Sequence, residues 1–184
     1  MNISHSESIC GIESSKVLFN RLKHALVLAC GNPVRGDDAV ALHVAKALVT
    51  GFCDGETEVH SQHQWLPEMA ETISEANLVI FVDASTEIPA GVVCNRLVVP
   101  SVPSQHALSH TMSPEKLLAM ARDLYGTLPQ EAFLVSIGGE SFELSNELSE
   151  RVRHAVPLAL DVVKAILSGV SLPQRKASSQ RAAS

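Results

Sequence analysis

The stretch from Ala25 to Leu48 admits few folds. Ala25 to Cys30 is an unbroken apolar run, the mark of a strand covered on both faces, as in a parallel sheet. Gly31-Asn32-Pro33 then breaks it, because Gly and Asn tolerate positive φ and Pro sets its own. From Asp38 the spacing turns helical, with Val40, Val44, Ala47 and Leu48 on one side. Asp37 and Asp38 thus stand at a helix N-terminus, where a capping carboxylate contributes about 1 kcal/mol. Adjacent side chains cannot share a direction. One is expected to cap and the other to face the cleft above the strand ends, where open α/β sheets bind ligands.

The same alternation continues. Strands are expected at 24–30, 56–61, 78–83, 91–98 and 132–137, and helices at 37–50, 66–75, 113–125 and 147–167. Pro67 suits the first turn of the second helix. Leu78 to Asp83 is apolar until it ends in an acid. Ser113 reads as an N-cap with Pro114 behind it, and Gly126 as the stop. The last helix carries Val152, Val156, Leu160, Val163 and Ile166 along one side, with Pro157 inside it. The fold class is α/β: a three-layer α/β/α sandwich on an about five-stranded, mostly parallel sheet. The gap between the third and fourth strands is shorter than a parallel crossover, so that pair is expected to be antiparallel. Residues 1–22 are expected to form a flexible leader, 23–170 a single α/β domain and 171–184 a disordered basic tail.

Composition narrows the function. At 184 residues, 46% hydrophobic and 18% charged, the chain can bury a core. A net charge of −6 gives nucleic acid no electrostatic support. No apolar run reaches the roughly 20 residues that span a bilayer, so a cytoplasmic location off the membrane is expected. The four cysteines, Cys10, Cys30, Cys53 and Cys94, form no CxxC pair. Cys30 and Cys94 fall in apolar strands and read as buried thiols of a reducing compartment.

Asp38 follows the first strand and Asp83 ends the third, which places them on one edge of a doubly wound sheet. The 100–112 loop carries His106 and His110. Two acids and an imidazole on one cleft make a metal site with open positions that suits Zn²⁺ or Ni²⁺ better than Mg²⁺. Plainer readings stand beside this one. The acid pair can be caps alone, and His110 a solvated loop residue. His60 and His63 are a weak ligand pair, since strand alternation sends them to opposite faces. His5, His24, His43 and His154 have no partner at useful spacing. Arg35 is either a substrate-facing cation or a solvated one. There is no GxSxG elbow, HExxH, dinucleotide fingerprint or P-loop, and no cysteine placed as a protease nucleophile.

Four segments in order resemble the hydrogenase maturation proteases: the first strand with Gly31-Asn32 and Gly36-Asp37-Asp38; Leu78 to Ala84; Ser109-His110 with the helix after it; and Gly139 to Leu144 with Leu148-Ser149. The resemblance covers about residues 24–168. It implies a phosphorylase/hydrolase-like fold and an aspartic-type endopeptidase. Such an enzyme trims the C-terminal extension of the [NiFe]-hydrogenase large-subunit precursor once nickel is inserted. It further implies that Asp38, Asp83 and His110 contact nickel supplied by the substrate, with no permanent cofactor, and that Asp38 or Asp83 serves catalysis. One segment departs from the family. Where many members have Asp-Gly-Gly-Thr, this chain reads His60-Ser-Gln-His-Gln-Trp65. His63 and Gln64, with Arg35, are the expected substrate contacts there. Two rivals remain: a non-cleaving nickel-checking protein of the same fold, and a phosphoacceptor receiver module. The receiver lacks support because no Lys follows the fifth strand, where Ser136-Ile-Gly-Gly139 stands.

Overall fold

The computed structural model describes residues 24–52, 55–99 and 112–169. In chain order these form β1 (Ala25–Cys30), a 3-10 turn (Gly36–Ala39), α1 (Val40–Gly51), β2 (Thr57–Gln62), α2 (Met69–Glu75), β3 (Leu78–Ser85), β4 (Val92–Arg96), α3 (Pro114–Tyr125), β5 (Glu131–Gly138) and α4 (Glu150–Leu167). The leader, the tail, Cys10, Cys53, His106 and His110 lie outside the described residues.

The sheet runs β2-β1-β3-β5-β4, with every neighbouring pair parallel except β4 and β5. The expected reversed strand is present, but its partner is β5 and not β3. Both sides of β3 are already taken, by β1 and β5, so β4 can only add at the outer edge. All six residues of β1 are buried, because it lies inside a sheet clad on both faces. Alternation divides its side chains. Ala25, Val27 and Ala29 join Leu78, Ile80 and Val82 under α1 and α4. Leu26 and Leu28 join Val79 and Phe81 under α2 and α3. Those two cores make the three layers.

Helix ends follow local chemistry in places. In α3 the Ser113 hydroxyl accepts the Lys116 N–H, Pro114 opens the helix, and Gly126 closes it at φ 73°. α2 starts at Met69, later than expected, so Pro67 precedes the helix and supplies a carbonyl to the Ala70 N–H. In α4 the fully buried stripe is Val152, Ala155, Ala159, Val163 and Ile166, with Val156 and Leu160 half-buried beside it.

Strand order locates the cleft. From β1 the chain first moves outward to β2 and then returns to build β3 and β5 on the other side. The order therefore reverses between β1 and β3, and ligands of open α/β sheets bind outside the carboxyl ends at such a point.

Candidate active site

The loop after β1 is shaped by Gly31. A Cβ there would lie 1.9 Å from the Asp38 carbonyl oxygen, so only glycine lets the turn fold back onto the strand end. The Asn32 N–H then donates to Asp38 Oδ2 at 3.0 Å. Gly36 adopts φ 53°, a conformation that strains other residues, and the 3-10 turn packs against β3. Gly31→Ala is expected to destabilise the fold by about 2–4 kcal/mol and to displace Asp38. Urea denaturation checks the first effect. A wild-type midpoint would show that the loop opens freely.

Neither acid of the pair caps its own helix, contrary to expectation. Asp37 is fully buried. Its Oδ2 accepts the N–H groups of Glu140 and Ser141 at 2.8 and 2.9 Å, and its Oδ1 accepts that of Ser149, the N-cap of α4, at 2.6 Å. Burial pushes this carboxyl up, but the donors of Ser141, Ser149 and Glu140 outweigh it and hold it below its ordinary value. Backbone bonds extend the seam: Gly36 N–H to Ser145 O at 2.8 Å, Asp37 N–H to Ser141 O at 2.9 Å and Ser145 N–H to Val34 O at 3.1 Å. Asp37 is thus a structural clamp between the loops after β1 and β5. Asp38 is left half-buried beside the cleft.

Asp83 lies near the end of β3, on the face that carries Phe81. Its carboxyl is pushed up to about 7, first by burial, against hydrogen bonds from Trp65 and the Ala84 backbone, with the Asp38 charge adding to the rise. That repulsion places the two acids within electrostatic reach of each other. Cys30 ends β1 one strand over, and its free thiol is pushed up to about 12 by burial and then by the charges of Asp83 and Asp38. Such a thiol stays protonated at neutral pH and is a poor nucleophile.

Of the expected site residues, Asp38 and Asp83 lie near enough for the charge of Asp38 to raise the Asp83 carboxyl, while His110 lies outside the described residues. Among the described residues no group of three or more His, Cys, Asp or Glu could hold a metal ion. The two carboxylates offer hard oxygen ligands, and an ion at this cleft would draw its remaining ligands from elsewhere. His63 and Gln64 are exposed just beyond β2, past the last residue that strand alternation orients. Arg35 is exposed, and its Nε–H donates to Phe142 O at 3.4 Å. His24 and His60 are not isolated: both Nε2 atoms contact Glu58, at 3.2 and 2.8 Å, at the edge of the sheet. His154 Nδ1 lies 2.8 Å from Glu150 O within α4.

Two neighbours of the site were not legible in the sequence. Asp37's partners lie more than a hundred residues away, beyond any local pattern. Trp65, beyond β2, turns its indole N–H onto Asp83 Oδ2 at 3.3 Å. An aromatic residue just past a strand's carboxyl end was the available signal.

No helix among the described residues is long and apolar enough to cross a membrane. No family model matches the chain, and a search of curated proteins finds no match. Solved structures do match. The hydrogenase maturating endopeptidase HybD of E. coli superposes with a TM-score of 0.66 at 23% identity, over 79% of this chain and 93% of that one. The hydrogenase 2 maturation peptidase of a Thaumarchaeota archaeon gives 0.61 at 26% identity, over 81% of this chain and 100% of that one. The [NiFe] hydrogenase maturation protease HycI of Thermococcus kodakarensis gives 0.61 at 20%, over 84% and 98%. This chain therefore has the fold of the hydrogenase maturation endopeptidases, the family that its sequence segments resemble.

Proposed function

We propose that this protein is an endopeptidase of hydrogenase maturation. It would remove the C-terminal extension of a [NiFe]-hydrogenase large-subunit precursor after nickel insertion, in the cytoplasm. What supports this reading is the placement of Asp38 and Asp83, electrostatically coupled, beside the switch point of a fold shared with named maturation endopeptidases. Under this reading Asp38, Asp83 and His110 meet the nickel that the precursor carries, and the protein needs no resident cofactor. Two half-buried carboxylates that repel each other gain from a cation between them, so a loaded precursor is held and an empty one is not. Docking on the metal then places the adjacent peptide bond against the acids.

The chemistry is aspartic-type in this proposal. One of the two carboxylates takes a proton from water and returns it to the leaving amine. Asp83, pushed up to about 7 by burial and by the Asp38 charge, is lowered again by a cation at the site and so stands ionised to act as that base, with Asp38 beside it. Arg35, His63 and Gln64 border the same edge and are the proposed contacts to the precursor.

The test is incubation of the full chain with nickel-loaded and nickel-free precursor, followed by mass analysis. Loss of the C-terminal peptide from the loaded form alone, abolished by Asp38→Ala and by His110→Ala, is the expected result. Binding of the loaded form without a change in its mass overturns the peptidase reading in favour of a nickel-checking protein. The divergent 60–65 segment is the feature that favours that second reading.

A further inference from the structure

We propose that Trp65 is a positioning residue for Asp83, a role that rests on the endopeptidase reading above. Trp65 is the single tryptophan of the chain. It lies just past β2, beside the switch point, and is half-buried. Two contacts fix its ring. The indole stands edge-on to Phe81, with centroids 5.4 Å apart and planes at 79°. Its Nε1–H donates to Asp83 Oδ2 at 3.3 Å. Phe81 is fully buried, and it precedes Asp83 by two residues on one strand face. The ring is thus braced on the strand that carries the acid it holds, two residues before that strand ends.

That arrangement has a directional consequence. An indole N–H can only donate, so it requires an acceptor oxygen on Asp83. Oδ2 is therefore turned toward Trp65. A carboxyl has a broad terminal torsion, and the Trp65 N–H restrains it together with the Ala84 backbone. Small errors in the placement of a reacting group cost large factors in rate. Trp65 touches no reacting atom in this scheme, and it acts through the acid.

The experiment separates this role from simple space filling. Trp65→Phe keeps a ring against Phe81 and removes only the donor. With loaded precursor it is expected to lower kcat about tenfold with KM little changed, while the thermal midpoint stays close to wild type. Independently, the single indole N–H resonance of ¹⁵N-labelled protein is expected to move when Asp83 is replaced by Ala. Wild-type kcat in Trp65→Phe, or an indole resonance that does not respond to Asp83→Ala, overturns the proposal. Should the wild-type chain cleave no precursor, the endopeptidase reading falls, and the indole resonance still decides whether Trp65 holds Asp83.

Discussion

Asp37→Ala is expected to remove most of the folding stability, although Asp37 is not a proposed catalytic residue. The carboxylate is fully buried and receives three backbone N–H groups at 2.6 to 2.9 Å. Alanine leaves all three donors without an acceptor, each at about 1–3 kcal/mol, for a loss of about 4 kcal/mol or more. That approaches the whole stability of a typical domain, about 5–15 kcal/mol. Urea denaturation measures it. Asp37→Asn keeps one acceptor oxygen and should fall between the variant and wild type. A wild-type midpoint for Asp37→Ala would show that the seam between the loops after β1 and β5 does not matter. The pH dependence has a definite sign. The carboxyl is held below its ordinary value in the fold, so its contribution is present above pH about 4 and is lost as pH falls through the lowered value.

Asp83→Asn should act in the opposite direction, stabilising the protein while abolishing processing. The Asp83 carboxyl rises from 3.8 to about 7 on folding. The folded state therefore binds more protons than the unfolded state between those values, and its stability falls as pH rises through that window. At 1.36 kcal/mol per pH unit, the full penalty above pH 7 is about 4 kcal/mol. An amide of the same shape carries no charge and still offers an oxygen to the Trp65 N–H. At pH 8 the variant should be more stable than wild type by about 2–4 kcal/mol, with the two curves merging below pH about 4. Processing of loaded precursor should drop by at least about a hundredfold. Superimposable stability curves at pH 8 would show that Asp83 is not ionised at a cost in the fold. The two carboxyls thus respond to pH with opposite signs. Asp37 is buried with three backbone donors on its carboxylate, and Asp83 is buried with fewer donors and a neighbouring negative charge.

Much of the architecture was legible from local pattern. Continuous apolar runs marked β1 and β3 as interior strands, and the acid at the end of β3 stood out because a carboxylate is out of place there. The Ser113-Pro114 start and Gly126 stop of α3 were readable because caps are made by neighbours in sequence. The edge position of β4 was not readable. A short connection implies a reversal of direction and leaves the choice of partner to the rest of the sheet. The start of α2 was misplaced because Pro67 fits a helical first turn and a preceding turn equally well.

Site residues divide in the same way. That Asp38 and Asp83 belong to one edge follows from element order, which alternation along the chain dictates. Which acid of the Asp37-Asp38 pair turns inward does not follow, since each has the same local environment in sequence. The donors of Glu140, Ser141 and Ser149 decided it, and they reach Asp37 only after β5 has been laid beside β3. The raised value of Asp83, the inert thiol of Cys30 and the hold of Trp65 likewise depend on burial and proximity. Sequence determined the succession of strands and helices, because backbone preference and apolar spacing act between near neighbours. Tertiary structure alone decided which polar groups meet, because burial and electrostatic coupling arise only when distant segments close around them.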